Sequence, residues 1–212
     1  MTYAENLWLF FSLLFGIIIV PGMDMVFVLA NALTGGRASG LSATVGIMAG
    51  GVLHTLYAAL GVSVILHLVP QLYYLLLVAG AAYIAWIGFS LLRSSIKISG
   101  VAAGARLTLW ASFRQGALTS LMNPKAYLFM LAVYPQFLKP QFGPVWSQAA
   151  VMALMIALTQ LAVYGGLALA AGRGRDFLVG SPGATVAIGR FAGLLLLVIA
   201  VFTVWHGWSG EV

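Results

Sequence analysis

From residue 38 to residue 92 the chain runs for 55 residues without a Lys, Arg, Asp or Glu. A helix needs about 20 residues to cross the hydrocarbon of a bilayer, so a run of this length holds two crossings. Leu68-Val69-Pro70-Gln71 is the natural divider. It gives a second span at about Leu41–Leu68 and a third at about Leu72–Leu92, with Tyr73, Tyr74 and Trp86 suited to the interfaces. Only 7% of residues are charged and 62% are hydrophobic, with a mean hydropathy of +1.05. Soluble domains carry about 25% charged residues. The expected class is therefore all-α, a polytopic membrane protein. A net charge of +6 in so few charges follows membrane topology and gives no reason to expect nucleic-acid binding. Cysteine is absent, which excludes disulfides, thiolate chemistry and Cys-based metal sites.

The first apolar run, Leu7–Ala30, is too long for a signal-peptide core and has no basic stretch before it, so it reads as a retained span. Asn31 to Arg37 then leaves the membrane, with Gly35-Gly36 as a turn and Arg37 as an anchor. Arg93 to Arg114 holds four basic residues and no acid, and Gly100 to Gly104 marks it as a flexible loop. Span four is expected at about Gln115–Leu138, and Lys139 to Pro144 is a tight loop. Span five is expected at about Val145–Ala171, where Gly165-Gly166 reads as helix packing or a kink. A loop with Arg173, Arg175, Asp176 and Arg190 follows, Pro182-Gly183 forming a turn in it, and span six is Phe191–Trp208. The total is six. Arg37, Arg93, Lys97, Arg106, Arg114, Arg173, Arg175 and Arg190 fall on one side and only Lys139 on the other. The positive-inside rule puts the first group in the cytoplasm and both termini on the non-cytoplasmic side.

Two spans are interrupted. Val20-Pro21-Gly22-Met23-Asp24 places a helix-breaking pair beside the single charge between Leu7 and Ala30. Pro21 cannot donate to the carbonyl of Ile17, and Gly22 adds freedom, so the helix bends or breaks there. Asn123-Pro124-Lys125 interrupts span four in the same way, and Pro124 frees the carbonyl of Ser120. In lipid such backbone survives only where protein or a water-filled cavity satisfies it. Three spans, a loop and three spans suggest two halves, about 1–92 and 115–212 flanking a cytoplasmic loop at about 93–114, in one transmembrane domain. An odd number of spans per half makes the halves inverted. At an offset of 102, Phe27, Leu29 and Ala30 match Phe129, Leu131 and Ala132. Interrupted segments in corresponding positions point to a transporter's binding site.

An acid at membrane depth costs roughly 2.5–3.5 kcal/mol on insertion scales and is a functional candidate by default. Asp24 is read either as a contact for a cationic group or proton, or as a solvated residue at the cytoplasmic helix end, paired with Arg37. Lys125 is read either as the partner of Asp24 or as a lysine snorkelling from a helix that starts near Asn123. His54 shares one helix face with Gly46 and Gly50. It could carry protons, having a pKa near neutrality, or simply bond between helices that the glycines let approach. His67 and His206 sit at span ends facing the headgroups. Trp8, Trp146, Trp205 and Trp208 mark interfaces. Four acids, two of them near the termini, cannot build an oxygen cage for a hard cation, and no hydrolase or phosphate-loop pattern occurs. No metal site, no cofactor and no enzyme activity is expected.

Pro21-Gly22-Met23-Asp24, then Asn31, Gly35-Gly36-Arg37, Gly40-Leu41, Gly46, Gly50 and His54, resembles the lysine exporter family, which includes exporters of threonine and homoserine. Asn123-Pro124-Lys125 followed by Pro135-Gln136-Phe137 is similar to the family's second signature. One departure stands out, because Met23 replaces the second proline of the usual Pro-Gly-Pro-Asp. The resemblance implies export of neutral or basic amino acids across the inner membrane, driven by the proton gradient. Asp24, Asn31, His54, Asn123 and Lys125 would line the substrate and proton pathway, with Pro21, Gly22 and Pro124 as the helix breaks. The expected partners are an amino acid, protons, the lipid bilayer and, through glycine faces, a second copy of the chain. Export of a metal or other small ion, and a non-transporting membrane scaffold packed solid around Asp24, are the alternatives.

Overall fold

A computed structural model describes residues 1–68, 70–93, 107–171 and 182–208. Expectations for Lys97, Gly100, Gly104, Arg106, Arg173, Arg175 and Asp176 fall outside them. So do those for the side chains of His67, Tyr73, Tyr74, Trp205, His206 and Trp208.

Helix α1 (Tyr3–Ile19) opens on a capping box. The Thr2 amide donates to Glu5 at 2.8 Å and the Glu5 amide to the Thr2 hydroxyl at 3.3 Å. The chain then breaks at Val20-Pro21-Gly22, and α2 (Met23–Gly35) departs at 54° to α1. The bend agrees with the proline reading, and the turn expected at Gly35-Gly36 narrows to one residue. Asn31 to Gly35 stay helical because nothing in that stretch lacks an amide, and Gly36 alone makes the turn, with φ 81°. Helix α3 (Arg37–Leu68) starts on the next residue, and α4 (Pro70–Arg93) follows the expected divider.

The second half also departs from expectation. Helix α5 (Leu109–Leu121) begins with Thr108 as its N-cap, so Arg114 lies on a helix and not in a loop. Asn123 separates α5 from α6 (Pro124–Ala132), and a 3-10 turn at Tyr134–Phe137 ends the segment. Span four is thus two short helices. Helix α7 (Val145–Gln160) runs through a π turn at Leu161–Gly165 into α8 (Gly166–Leu169). Helix α9 (Pro182–Trp208) starts at the Pro182-Gly183 expected to be a turn and carries Arg190. Proline is compatible with a first helical turn, whose amides have no partner there anyway. Among the described residues, Arg37–Val62 and Val145–Leu169 are long and apolar enough to cross a membrane, and the bent α1–α2 pair is a third candidate if taken as one span.

Helix α3 lies at the centre, packed on α2, α5 and α7. Its seam with α5 is built on absent side chains. A Cβ on Gly46 would stand 2.0 Å from the Phe113 carbonyl oxygen, and one on Gly116 would stand 2.5 Å from that of Ala43. Real Cβ atoms do not come so close, so the backbones touch because both positions are glycine. Contacts advance together along the two helices, from Ser42 with Leu109 to Gly50 with Ser120, so α3 and α5 run parallel. Helices α4 and α9 close in the same manner at Gly88 and Gly193 but run antiparallel, Gly88 meeting Leu197 while Leu91 meets Gly193. Phe10 of α1 packs against Phe129, Tyr134 and Phe137, and the Asn6 amide donates to the Phe137 carbonyl at 2.9 Å. With Tyr3 against Phe142, this puts the start of α1 beside the Lys139–Pro144 loop.

Candidate functional site

Each proline removes the amide that would have bonded one carbonyl, and the fold returns a basic side chain to each. At the first break, Lys125 Nζ donates to the carbonyls of Ile17 at 2.8 Å and Val20 at 3.0 Å. Ile17 is the residue whose carbonyl Pro21 leaves unbonded. A cation at a helix C-terminus also meets the negative end of the helix dipole. At the second break, His54 Nε2 lies 3.0 Å from the Ser120 carbonyl, the one that Pro124 leaves unbonded, and the Asn123 amide reaches the same oxygen at 3.1 Å. His54 Nδ1 bonds the Tyr57 hydroxyl, so both ring nitrogens are engaged. The two breaks are stapled from outside themselves, the first by α6 and the second by α3.

Asp24 lies in the first turn of α2, where an acid suits the helix dipole, and it is 4% exposed. Neither reading of it as a solvated helix end nor as the direct partner of Lys125 fits. No ion pair joins the two among the described residues, and Asp24 Oδ1 has no hydrogen-bond partner. Asn123, Lys125 and His54 supply its electrostatic surroundings. Asn123 caps α6, its Oδ1 accepting from the Lys125 amide at 3.0 Å, while its buried Nδ2 is without a partner. Gly22 is extended at φ −159°, so its backbone does not demand glycine. Its need is space, because a Cβ there would come within 3.2 Å of Lys125 Nζ.

Asp24 and Lys125 line one cavity of about 50 Å³. Leu14, Ile17, Ile18, Phe129, Met130 and Ile156 give it an apolar wall, and Gln160 and Tyr164 give it polar groups from the far side. The sequence alone assigns those last two no part. The available signal was a glutamine in a charge-free span with a tyrosine four residues on, which shares its helix face. Tyr164 sits within the π turn, an element frequent at functional sites.

The other nominated residues lie elsewhere. Asn31 is not on the cavity wall. Its Oδ1 accepts from Ser112 at 2.8 Å and faces Ser39 at 3.4 Å, its Nδ2 donates to the Phe27 carbonyl at 2.9 Å, and the two serines bond each other at 2.9 Å. It ties α2, α3 and α5 into one polar knot. His54 borders Asp24 electrostatically but belongs to the second staple. Trp8, Trp86, Trp110 and Trp146 are exposed on the surface, away from the cavity.

Comparison with known proteins agrees with the motifs. The family model for the LysE type translocator matches residues 15–207. An uncharacterized membrane protein of Pseudomonas aeruginosa is 32% identical over 147 residues, covering 67% of this chain and 68% of its own. A threonine efflux protein of Escherichia coli K12 is 32% identical over 143 residues, covering 66% and 69%. A leucine efflux protein of Salmonella choleraesuis is 30% identical over 134 residues, covering 63% of each. No solved structure matches at a significant level. The signatures at both breaks fall inside the matched region, and the chain belongs to the LysE type translocator family, a family of membrane transporters and not of enzymes.

Proposed function

We propose that this translocator exports amino acids from the cytoplasm across the inner membrane by alternating access between two inverted halves, with proton entry driving efflux. The observation that carries the reading is that Asp24 and Lys125, one from each interrupted segment, line a single cavity beneath two broken helices. A zwitterion needs one site of each sign, and the cavity holds both. Relatives named as threonine and leucine efflux proteins point the same way. A scaffold would be packed solid around Asp24, which the cavity argues against. Among the described residues Asp24 is the only acid on the wall, too few for a hard cation's oxygen cage.

Six spans are the reading that helix directions favour: α1–α2, α3, α4, α5–α6, α7–α8 and α9. In that order α3 and α5 run parallel and α4 and α9 antiparallel, as observed. The inverted halves are supported by their breaks, since α1 ends at Ile19 and α5 at Leu121, while α2 starts at Met23 and α6 at Pro124. Both termini would face away from the cytoplasm, with the start of α1 beside the loop of Lys139.

Mechanistically, Asp24 receives the α-ammonium group and releases it on protonation. The first-turn amides of α2 have no side-chain cap and favour the carboxylate, with Lys125 and Asn123 beside it. A water occupies roughly 10–15 Å³ by the same measure, so the cavity holds only a few and an amino acid enters as the segments part. The test is efflux of labelled leucine, threonine and lysine from vesicles. Asp24→Asn and Lys125→Ala should each lower it by about tenfold or more, the loss expected when a buried charge contact worth about 1.4 kcal/mol or more disappears. Undiminished efflux in both at equal expression would sink the assignment.

A further inference from the structure

Lys125 is a primary ammonium on a tether, and the place it occupies suits any primary ammonium. Two carbonyl oxygens at 2.8 and 3.0 Å receive it at the C-terminal end of a 17-residue helix. Nearby, a carboxylate that is 96% buried keeps one oxygen without a partner on the same cavity. Gly22 leaves the space that lets the ammonium in. From this we infer that the carbonyls of Ile17 and Val20, with Asp24, form an ammonium seat, and that Lys125 fills it as an internal stand-in until a ligand's ammonium displaces it. The inference rests on the amino-acid reading above and deepens it.

Displacement has a condition. Lys125 moved off the carbonyls is a half-buried cation that has lost both its acceptors, which is unfavourable unless an anion meets it. An amino acid brings that anion, because its carboxylate can pair with the displaced lysine while its ammonium takes the seat. A plain amine brings none. The seat therefore selects zwitterions through exchange of partners, and amines without a carboxylate are refused although the seat itself would accept them.

The experiment uses the full chain in detergent and follows its melting temperature. Lys125→Ala leaves the seat vacant with room for the missing three carbons and ammonium, which n-propylammonium reproduces. At tens of millimolar it should raise the melting temperature of Lys125→Ala by roughly 3 °C or more and leave the wild type within about 1 °C. Equal stabilisation of both proteins, or of the variant by 1-propanol, would overturn the seat. If Lys125→Ala is not recovered, expression with and without propylammonium decides, and an unchanged yield counts against the proposal. In the wild type, leucine or threonine should stabilise while leucinamide and threoninamide do not, and the amides should gain effect in Lys125→Ala. An amide as effective as its amino acid in the wild type overturns the exchange. No effect of any amino acid defeats the amino-acid reading alone, because the propylammonium arm still judges the seat.

Discussion

The two broken segments do the same thing by different means. The first, α1–α2, breaks at a Pro-Gly pair, bends by 54°, and depends on a lysine from the other half for its exposed carbonyls. The second, α5–α6, breaks at Asn-Pro, caps its own new helix with Asn123, and is fixed to α3 by His54 and by glycine-to-backbone contact. One break is thus held by a long, rotatable side chain and the other by a short ring on a rigid helix. On that difference the first is expected to yield before the second.

The comparison can be broken most severely at the α3–α5 seam. Gly46→Ala puts a methyl group 2.0 Å from the Phe113 carbonyl oxygen, and backbone cannot step aside as a side chain can. A loss of about 3 kcal/mol or more is expected, read as failure to accumulate in the membrane or as a sharply lowered melting temperature. At the first break, Lys125→Met removes two charge-assisted bonds and should destabilise by about 2–3 kcal/mol, roughly 5–10 °C for a chain of this size. At the second, His54→Phe leaves the Ser120 carbonyl with the Asn123 amide alone, and about 1 kcal/mol should be lost. If His54→Phe proves the more damaging, the assignment of the rigid and yielding breaks is reversed. The smallest effect is expected at Met23→Pro. Met23 is the first residue of α2, half exposed, and preceded by an extended Gly22, all of which proline tolerates. A gain of about 0.4–1 kcal/mol should appear as a slightly higher melting temperature, and a clear loss would show that the first break needs the mobility that Met23 leaves it.

Much of this was legible in the sequence, and the division is physical. Proline acts locally, so Pro21 and Pro124 announce both breaks and name the carbonyls of Ile17 and Ser120 as the groups in need. The donors are not local. Lys125 lies 108 residues from Ile17 and His54 lies 66 from Ser120, and only the fold brings them together. Glycine spacing showed the packed face of α3 because Gly46, Gly50 and His54 repeat at helical period. Arg114 and Pro182 misled for the opposite reason. A count of basic residues marks where water is expected, not where helix ends, and Arg114 is an exposed residue of α5. Asn31 is singled out by the family resemblance alone, yet Ser39 and Ser112 satisfy it, and neither stands out as its partner in the sequence.

The π turn at Leu161–Gly165 carries a consequence for how such a cavity can change over generations. A π turn is an α-helix that has absorbed one surplus residue, and each residue of a helix turns the chain by about 100°. Loss of a single codon between 161 and 165 would let the segment relax to regular α-helix, and Gln160 would swing by about that angle relative to the helix that follows. The wall opposite Asp24 would then present different atoms, with no substitution at any residue that lines it. A deletion scan across this turn, scored for a change in which amino acids are exported, would find a route to new specificity that replacing residues one at a time would miss.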